Sequence, residues 1–215
     1  MAVEILPAIL ASTKDDFIKK LGSVSSCAKR IHLDIADGVF VNNRTVDGIA
    51  EVSDSGFDGF WDVHLMVANP IEVARKWFKI AEVGTIFLHS STISPKDFAS
   101  LSNEARLLGF DLGIVFDVDA DYNKLAEYIS IADIIQCMTV KPGFYGGDFC
   151  PQGLGLAKQI SIKYPRKKII IDGAMNPERI VLAIKAGASE IISGGYIMNK
   201  DNPCQALLEL RNQLL

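Results

Sequence analysis

Three short segments carry side chains able to move protons. Arg30-Ile31-His32-Leu33-Asp34-Ile35 and Asp62-Val63-His64-Leu65-Met66 alternate in character, and Ile169-Ile170-Ile171-Asp172-Gly173 is an apolar run ending in a carboxylate. On a strand, alternation points His32 and Asp34 to one face, and His64 and Met66 to one face of another strand. Two imidazoles and two carboxylates brought together form a ligand set for a divalent cation such as zinc, iron or manganese. Burying the carboxylates without a cation would be costly. The chemistry open to such a set is proton transfer at a carbon beside a carbonyl. A cation bridging the carbonyl and a neighbouring hydroxyl stabilises the enediolate as a Lewis acid. One carboxylate removes the proton and another returns one from the opposite face, inverting the carbon. Any one of these residues alone reads more readily as a core partner or a cap; the four together carry the reading.

A second constellation suits an anion. Lys141-Pro142-Gly143-Phe144-Tyr145-Gly146-Gly147-Asp148 and Ser193-Gly194-Gly195-Tyr196 are glycine-rich, and Asp172-Gly173-Ala174 adds a third turn of small residues. Backbone N–H groups in such loops, at the carboxyl ends of late barrel strands, hold phosphate. Each loop alone reads more readily as an ordinary turn.

The elements that must position these groups are short apolar runs at 3–10, 30–35, 60–67, 85–90, 111–116, 132–140, 167–173 and 189–195, mostly 20 to 30 residues apart. Between them lie amphipathic stretches, among them DDFIKKLGSV, PIEVARKWFKIAEV, PKDFASLSNEARLLG, DYNKLAEYISIA and PERIVLAIKAG. Several begin with Pro or Asp and end near Gly84, Gly109 or Gly187, as helices do. The weakest helical segment is 44–58, rich in Gly, Asp and Ser. Alternating strands and helices imply parallel strands with helical crossovers. Eight such units predict a (β/α)8 TIM barrel, an α/β fold, as one domain over residues 1–215. A doubly wound open sheet is the alternative. In a barrel the site gathers at the carboxyl ends of the strands.

Composition bounds the rest. Hydrophobic residues are 49% and charged residues 22% of 215, with a net charge of -4. No basic face is implied, so a nucleic-acid partner is not expected. Local loops can still bind phosphate on an acidic protein. No apolar run reaches the length of a membrane span, and the N-terminal segment, with Glu4 and Pro7, does not read as a signal peptide. Cys27, Cys137, Cys150 and Cys204 show no metal-type spacing and are expected to be reduced thiols in a cytoplasmic protein.

Through PAILAS (7–12), IHLDIADGVFVNN (31–43), DVHLMVANP (62–70), MTVKPGFYGG (138–147), IDGAMNPERI (171–180) and AGASEIISGG (186–195) the chain resembles the ribulose-phosphate 3-epimerase family over nearly its whole length. The HxDxxDGxF and DVHLM segments are the specific ones. The resemblance implies a (β/α)8 barrel that interconverts D-ribulose 5-phosphate and D-xylulose 5-phosphate with one divalent metal ion: zinc, iron(II), manganese or cobalt. It implies His32, Asp34, His64 and Asp172 as metal ligands, Asp34 as proton acceptor and Asp172 as donor, roles exchanging in reverse. It puts His64, Met66 and Met138 beside the enediolate, the methionines reading otherwise as plain core. It assigns phosphate to Gly143, Phe144, Tyr145, Gly146, Gly173, Ala174, Gly194 and Gly195. It also implies a place in the pentose phosphate pathway and a homo-oligomer, for which closed symmetry is usual.

The sequence departs from that pattern. Ala8 and Gly195 stand where the family usually has serines, Ala36 for a methionine, Lys141 for an asparagine and Ala174 for a glycine; Tyr145 and Gly147 alter a glycine-glycine-glutamine run. A related ketose phosphate such as allulose 6-phosphate is therefore a second substrate reading, and a barrel that binds a sugar phosphate without turning it over is a third. A decarboxylase of the same architecture would need a lysine between two aspartates, where this chain has Asp34-Ile35-Ala36-Asp37. Asp37 is read as a loop cap, Trp61 and Trp77 as packing, and His89 is assigned no role.

Overall fold

Parallel strands cannot be joined by hairpins, so each needs a crossover that packs back on the sheet. The computed structural model, which describes residues 3–120 and 125–214, shows that arrangement closed on itself. β1 (Glu4–Leu10), β2 (Arg30–Ala36), β3 (Phe60–Met66), β4 (Val83–His89), β5 (Asp111–Phe116), β6 (Ile134–Met138), β7 (Lys168–Asp172) and β8 (Glu190–Ser193) pair in chain order, all parallel. β8 returns to β1, Ile5 facing Ile191. An open sheet is thereby excluded, and the chain folds as a single-domain TIM barrel. The crossovers contain α1 (Lys14–Val24), α2 (Ile49–Asp54), α3 (Pro70–Trp77), α4 (Pro95–Leu107), α5 (Ala126–Ile131), α6 (Gln152–Lys163) and α7 (Pro177–Lys185). The short α8 (Gly195–Met198) and α9 (Pro203–Arg211) follow β8.

Local chemistry sets the helix ends. Thr13, Ser94, Asn176 and Asn202 each accept a hydrogen bond from a first-turn N–H, and α3, α4, α7 and α9 begin with proline, which suits a position whose N–H has no helical partner. Gly109 and Gly187 adopt φ of +87° and +93° just beyond α4 and α7, left-handed stops that glycine takes without penalty. Gly84 does not play that part. α3 ends at Trp77, the chain turns as Ile80 N–H donates to Trp77 O, and Gly84 lies inside β4, which starts at Val83. Within 44–58 only Ile49–Asp54 is helical, and residues 121–124 of DYNKLAEYISIA lie outside the described residues.

The outward faces of the strands and the inner faces of the helices form the main core. Ile31, Leu33, Trp61, Val63, Leu65 and Trp77 belong to it, and Phe17 stacks on Trp61 at 5.7 Å. The tryptophans are packing residues, as their apolar surroundings lead one to expect. Inside the barrel sit Leu6, Ala8, Phe87, Val115, Ile170 and Ile192, with the polar side chains of β2, β3, β6 and β7 above them.

The thiols depart from expectation. Cys27 and Cys204 form a disulfide across 177 residues, while Cys137 and Cys150 are free. The pairing arises because α9 folds back beside α1 and brings the two Cα atoms to 5.8 Å, within bridging range. Spacing along the chain carries no trace of that contact.

The amino ends of the strands are closed by charge. Arg30 bonds Asp62 at 2.7 Å and Glu190 at 2.6 Å and reaches Glu4 at 3.3 Å; Lys168 also pairs with Glu190. The Asp62 and Glu190 side chains are 1% and 5% exposed, so removing the guanidinium strands buried carboxylates. Burial already pushes the Asp62 carboxyl up to about 6 against the pull of Arg30. Arg30→Met is expected to destabilise the barrel by about 3–5 kcal/mol in chemical denaturation. A loss under about 1 kcal/mol, the range of an exposed pair, would make this cluster ornamental.

Candidate active site

The strand alternation decides what meets at the carboxyl end. In the register, Leu10 faces Asp34, Asp34 faces His64 and Met138 faces Asp172. His32, Asp34, His64 and Asp172 converge there. His64 Nδ1 lies 2.9 Å from Asp34 Oδ1 and 3.6 Å from Asp172 Oδ2; His32 Nε2 lies 3.7 Å and 3.9 Å from the same two oxygens. One donor atom from each lies within 4.8 Å of the other three.

All four side chains are nearly or wholly buried, and their protonation reflects it. Burial drives His32 down to about 3, overriding the attraction of Asp34, so its ring is neutral. Neither of its nitrogens has a hydrogen-bond partner. Burial opposes the His64 cation, but the hydrogen bond and charge of Asp34, with Asp172 and Asp117 behind it, raise that ring above its ordinary value. Burial first, and the nearby Asp34 charge second, lift the Asp172 carboxyl towards neutrality.

Other residues position this cluster, and the sequence reading did not single them out. Gln136 Nε2 donates to Asp172 Oδ2 at 2.9 Å. It is a fully buried polar residue on an otherwise apolar strand, two places before Met138, and the alternation that marks His32 and Asp34 marks it equally. Thr139 Oγ1 donates to the Asp172 and Gly173 carbonyls, fixing the end of β7. His89, left unassigned above, bonds His64: the two Nε2 atoms lie 2.8 Å apart, and His89 Nδ1 lies 2.8 Å from Asp117 Oδ1. Asp37 is a loop cap. Its carboxylate accepts from Val39, Phe40 and Ala68 N–H, and these bonds hold its pKa low against a desolvation that acts the other way.

A pocket of about 450 Å³ opens above the cluster, a volume suited to a small metabolite. Asp34, Asp172, His64, Met66 and Met138 line its floor; Gly143, Phe144, Tyr145, Gly146, Gly173, Ala174, Gly194 and Gly195 line its walls. His32 lies beneath, and Lys141 and Ala36 do not reach the pocket. Two of the wall glycines leave no room for a Cβ. At Gly173, φ is +119° and a Cβ would fall 2.6 Å from Val140 Cγ2; at Gly194 a Cβ would fall 2.5 Å from the Tyr145 ring. Ala174 holds φ of +51°, a left-handed conformation costing an alanine roughly 1–2 kcal/mol. Its carbonyl accepts from Arg179 Nη1 at 2.7 Å.

Two departures from the usual family pattern meet here. The Tyr145 hydroxyl donates to Ala8 O at 2.7 Å and accepts from Leu10 N–H at 2.8 Å, so the loop after β6 is tied to β1 through the backbone beside Ala8. Arg179 is the cation that lines the pocket among the described residues, stacked 4.5 Å over Phe149. A signal for it existed: a basic side chain in the first turn of α7 opposes the helix dipole, a cost that an anion nearby would offset.

Comparison with known proteins matches the ribulose-phosphate 3 epimerase family over residues 4–198. The ribulose-phosphate 3-epimerase, cytoplasmic isoform, of Oryza sativa subsp. japonica is 27% identical over 223 residues, covering 99% of this chain and 95% of that one. The ribulose-phosphate 3-epimerase of Eremothecium gossypii is 30% identical over 210 residues, covering 88% and 84%. Among solved structures, 3-hexulose-6-phosphate synthase superposes with a TM-score of 0.72 at 17% identity over 99% of both chains. Thiamine phosphate pyrophosphorylase from Pyrococcus furiosus gives 0.64 at 14% over 99% and 95%. These two show the barrel alone.

Proposed function

The chain belongs to the ribulose-phosphate 3-epimerase family, and from that membership we propose that it inverts C3 of a phosphorylated ketose, interconverting D-ribulose 5-phosphate and D-xylulose 5-phosphate. The observation that carries the reading is the convergence of His32, Asp34, His64 and Asp172 on the floor of a pocket walled by glycine-rich loops.

The donor set fits a divalent cation. A buried neutral imidazole with both nitrogens unpartnered, facing two largely buried carboxylates, leaves donors and negative charge with little solvation, and such a site is stable when a cation fills it. When bound there, the cation would supply charge for the oxygens of an enediolate. The side chains do the rest. Asp34 takes the C3 proton from one face and Asp172 returns one from the other. Gln136 orients the Asp172 oxygen that does so. Met66 and Met138 close the floor with apolar, polarisable surface. Gly173 and Gly194 let backbone approach the phosphate, and Arg179 adds the charge. The rice relative's name supports a cytoplasmic setting.

The test is solvent exchange. In D2O with added zinc, iron(II) or manganese, ribulose 5-phosphate should gain deuterium at C3; a protein that exchanges no ketose phosphate with any of these metals is not an epimerase. Arg179→Met should raise KM about tenfold to a hundredfold, the worth of a charge-assisted hydrogen bond, and leave kcat nearly unchanged. An unchanged KM removes Arg179 from phosphate binding. A longer ketose such as allulose 6-phosphate is the second reading. It is favoured by Ala8 and Gly195, which line the pocket with less bulk than serine, and relative kcat/KM decides between them.

A further inference from the structure

The hydrogen bonds behind His64 run in one direction only. Asp117, at the end of β5, accepts from Ser91 Oγ at 2.9 Å through Oδ2 and meets His89 Nδ1 at 2.8 Å through Oδ1. A carboxylate accepts and does not donate, so the proton of that contact belongs to His89 Nδ1. In a neutral ring the other nitrogen, His89 Nε2, then carries a lone pair. It lies 2.8 Å from His64 Nε2, which must supply the proton. That leaves His64 Nδ1, which faces Asp34 and Asp172 and in the metal-free protein donates to Asp34 Oδ1 at 2.9 Å, as the nitrogen that would give up its proton to a cation. The ring geometry agrees. The two imidazole planes lie within 20° and their centres are 4.9 Å apart, close to the longest separation a 2.8 Å nitrogen contact permits. The rings therefore meet end to end, nearly in one plane, with lone pair and N–H aligned. Phe40, 4.7 Å from the His89 ring, shields it, and both histidines are buried.

We infer that Asp117 and His89 are positioning residues that fix the orientation of His64 and commit its Nε2 proton to His89, so that Nδ1 is the nitrogen offered to a divalent cation held with His32, Asp34 and Asp172. The inference rests on the metal-site reading above and adds to it a relay of carboxylate, imidazole and imidazole in place of the single carboxylate or carbonyl that usually orients a ligating histidine. The carboxylate can act through a second ring because each imidazole that accepts at one nitrogen is obliged to donate at the other.

The chain has three histidines, so imidazole nitrogen resonances can be assigned by single substitutions. In 15N-labelled, metal-free protein, His89 should be protonated at Nδ1 and bare at Nε2, and His64 should carry a proton on Nε2. The reverse placement on His89 overturns the relay. Zinc titration is the second readout. His89→Phe, which keeps an apolar ring but neither nitrogen, should weaken zinc binding about 10- to 100-fold. His89→Gln, whose amide can accept from His64 and donate to Asp117, should recover most of that loss. Asp117→Asn, which can donate to His89 and turn both rings over, should weaken zinc comparably and move the His89 proton to Nε2. If His89→Phe does not fold, Asp117→Asn carries the test alone. Wild-type zinc affinity in a folded His89→Phe or Asp117→Asn variant overturns the inference. If the wild-type protein binds no zinc, iron(II) or manganese, the metal-site reading fails, and the resonances still decide whether the relay orients His64.

Discussion

Asp172→Asn is expected to abolish measurable epimerisation, lowering kcat by the upper part of the roughly 10²- to 10⁴-fold range that a positioned acid or base contributes, while the barrel stays folded. The substitution is nearly isosteric, and asparagine retains an oxygen for the Gln136 amide, so packing is preserved while the exchangeable carboxyl proton is lost. Asp34→Asn should do the same, since it removes the group poised on the other face. The two variants should differ in partial reactions. If the acceptor and donor stand on opposite faces of the substrate, Asp172→Asn can still lose and regain the C3 proton of the epimer that Asp34 serves, so deuterium enters that epimer without inversion. Equal and complete loss of exchange from both epimers in both variants would show that the carboxylates act as cation ligands only. Full activity in either removes that residue from the chemistry.

Removing metal should cost stability as well as activity, and the cost should depend on pH in a way that identifies Asp172. Zinc at a thousand times its Kd stabilises a protein by about 4 kcal/mol relative to the stripped form, so chelation should lower Tm sharply; no shift would leave the donor cluster without a cation to hold. In the stripped protein, the Asp172 carboxyl sits at about 7 in place of 3.8. Between those values the folded state binds a proton that the unfolded chain has released, so this group takes stability away as pH rises through the window. His32, lowered to about 3 from 6.5, acts oppositely: the unfolded chain binds the extra proton, and stability grows as pH rises towards 6.5. The two slopes oppose each other in the wild-type curve, so the informative quantity is a difference. The stability of metal-free Asp172→Asn relative to wild type should therefore rise steadily as pH increases from about 4 to above 7. Zinc should erase that rise, because the cation replaces the proton as partner to the carboxylates. A difference that stays flat across this window means that Asp172 titrates as an ordinary carboxyl.

The amino-acid sequence by itself determined the strand and helix order of the barrel, and it determined which way the polar residues of β2 and β3 point. Both follow from local rules: a period of two, a proline or asparagine at a helix start, a glycine at a helix end. His32, Asp34, His64 and Asp172 were legible because each sits at or near the carboxyl end of an apolar run, and barrel closure carries such ends to one place. Gln136 was legible by the same rule. Tertiary structure alone decided what those groups meet. That His89 abuts His64 and Asp117 abuts His89 follows from the register of β3, β4 and β5 around the barrel. Likewise, Tyr145 reaches the backbone of β1, Arg179 turns its charge into the pocket, and Cys27 lies against Cys204 across 177 residues. Spacing along a chain records the period of one element. It does not record the closing of a barrel, which makes neighbours of residues that share no local pattern.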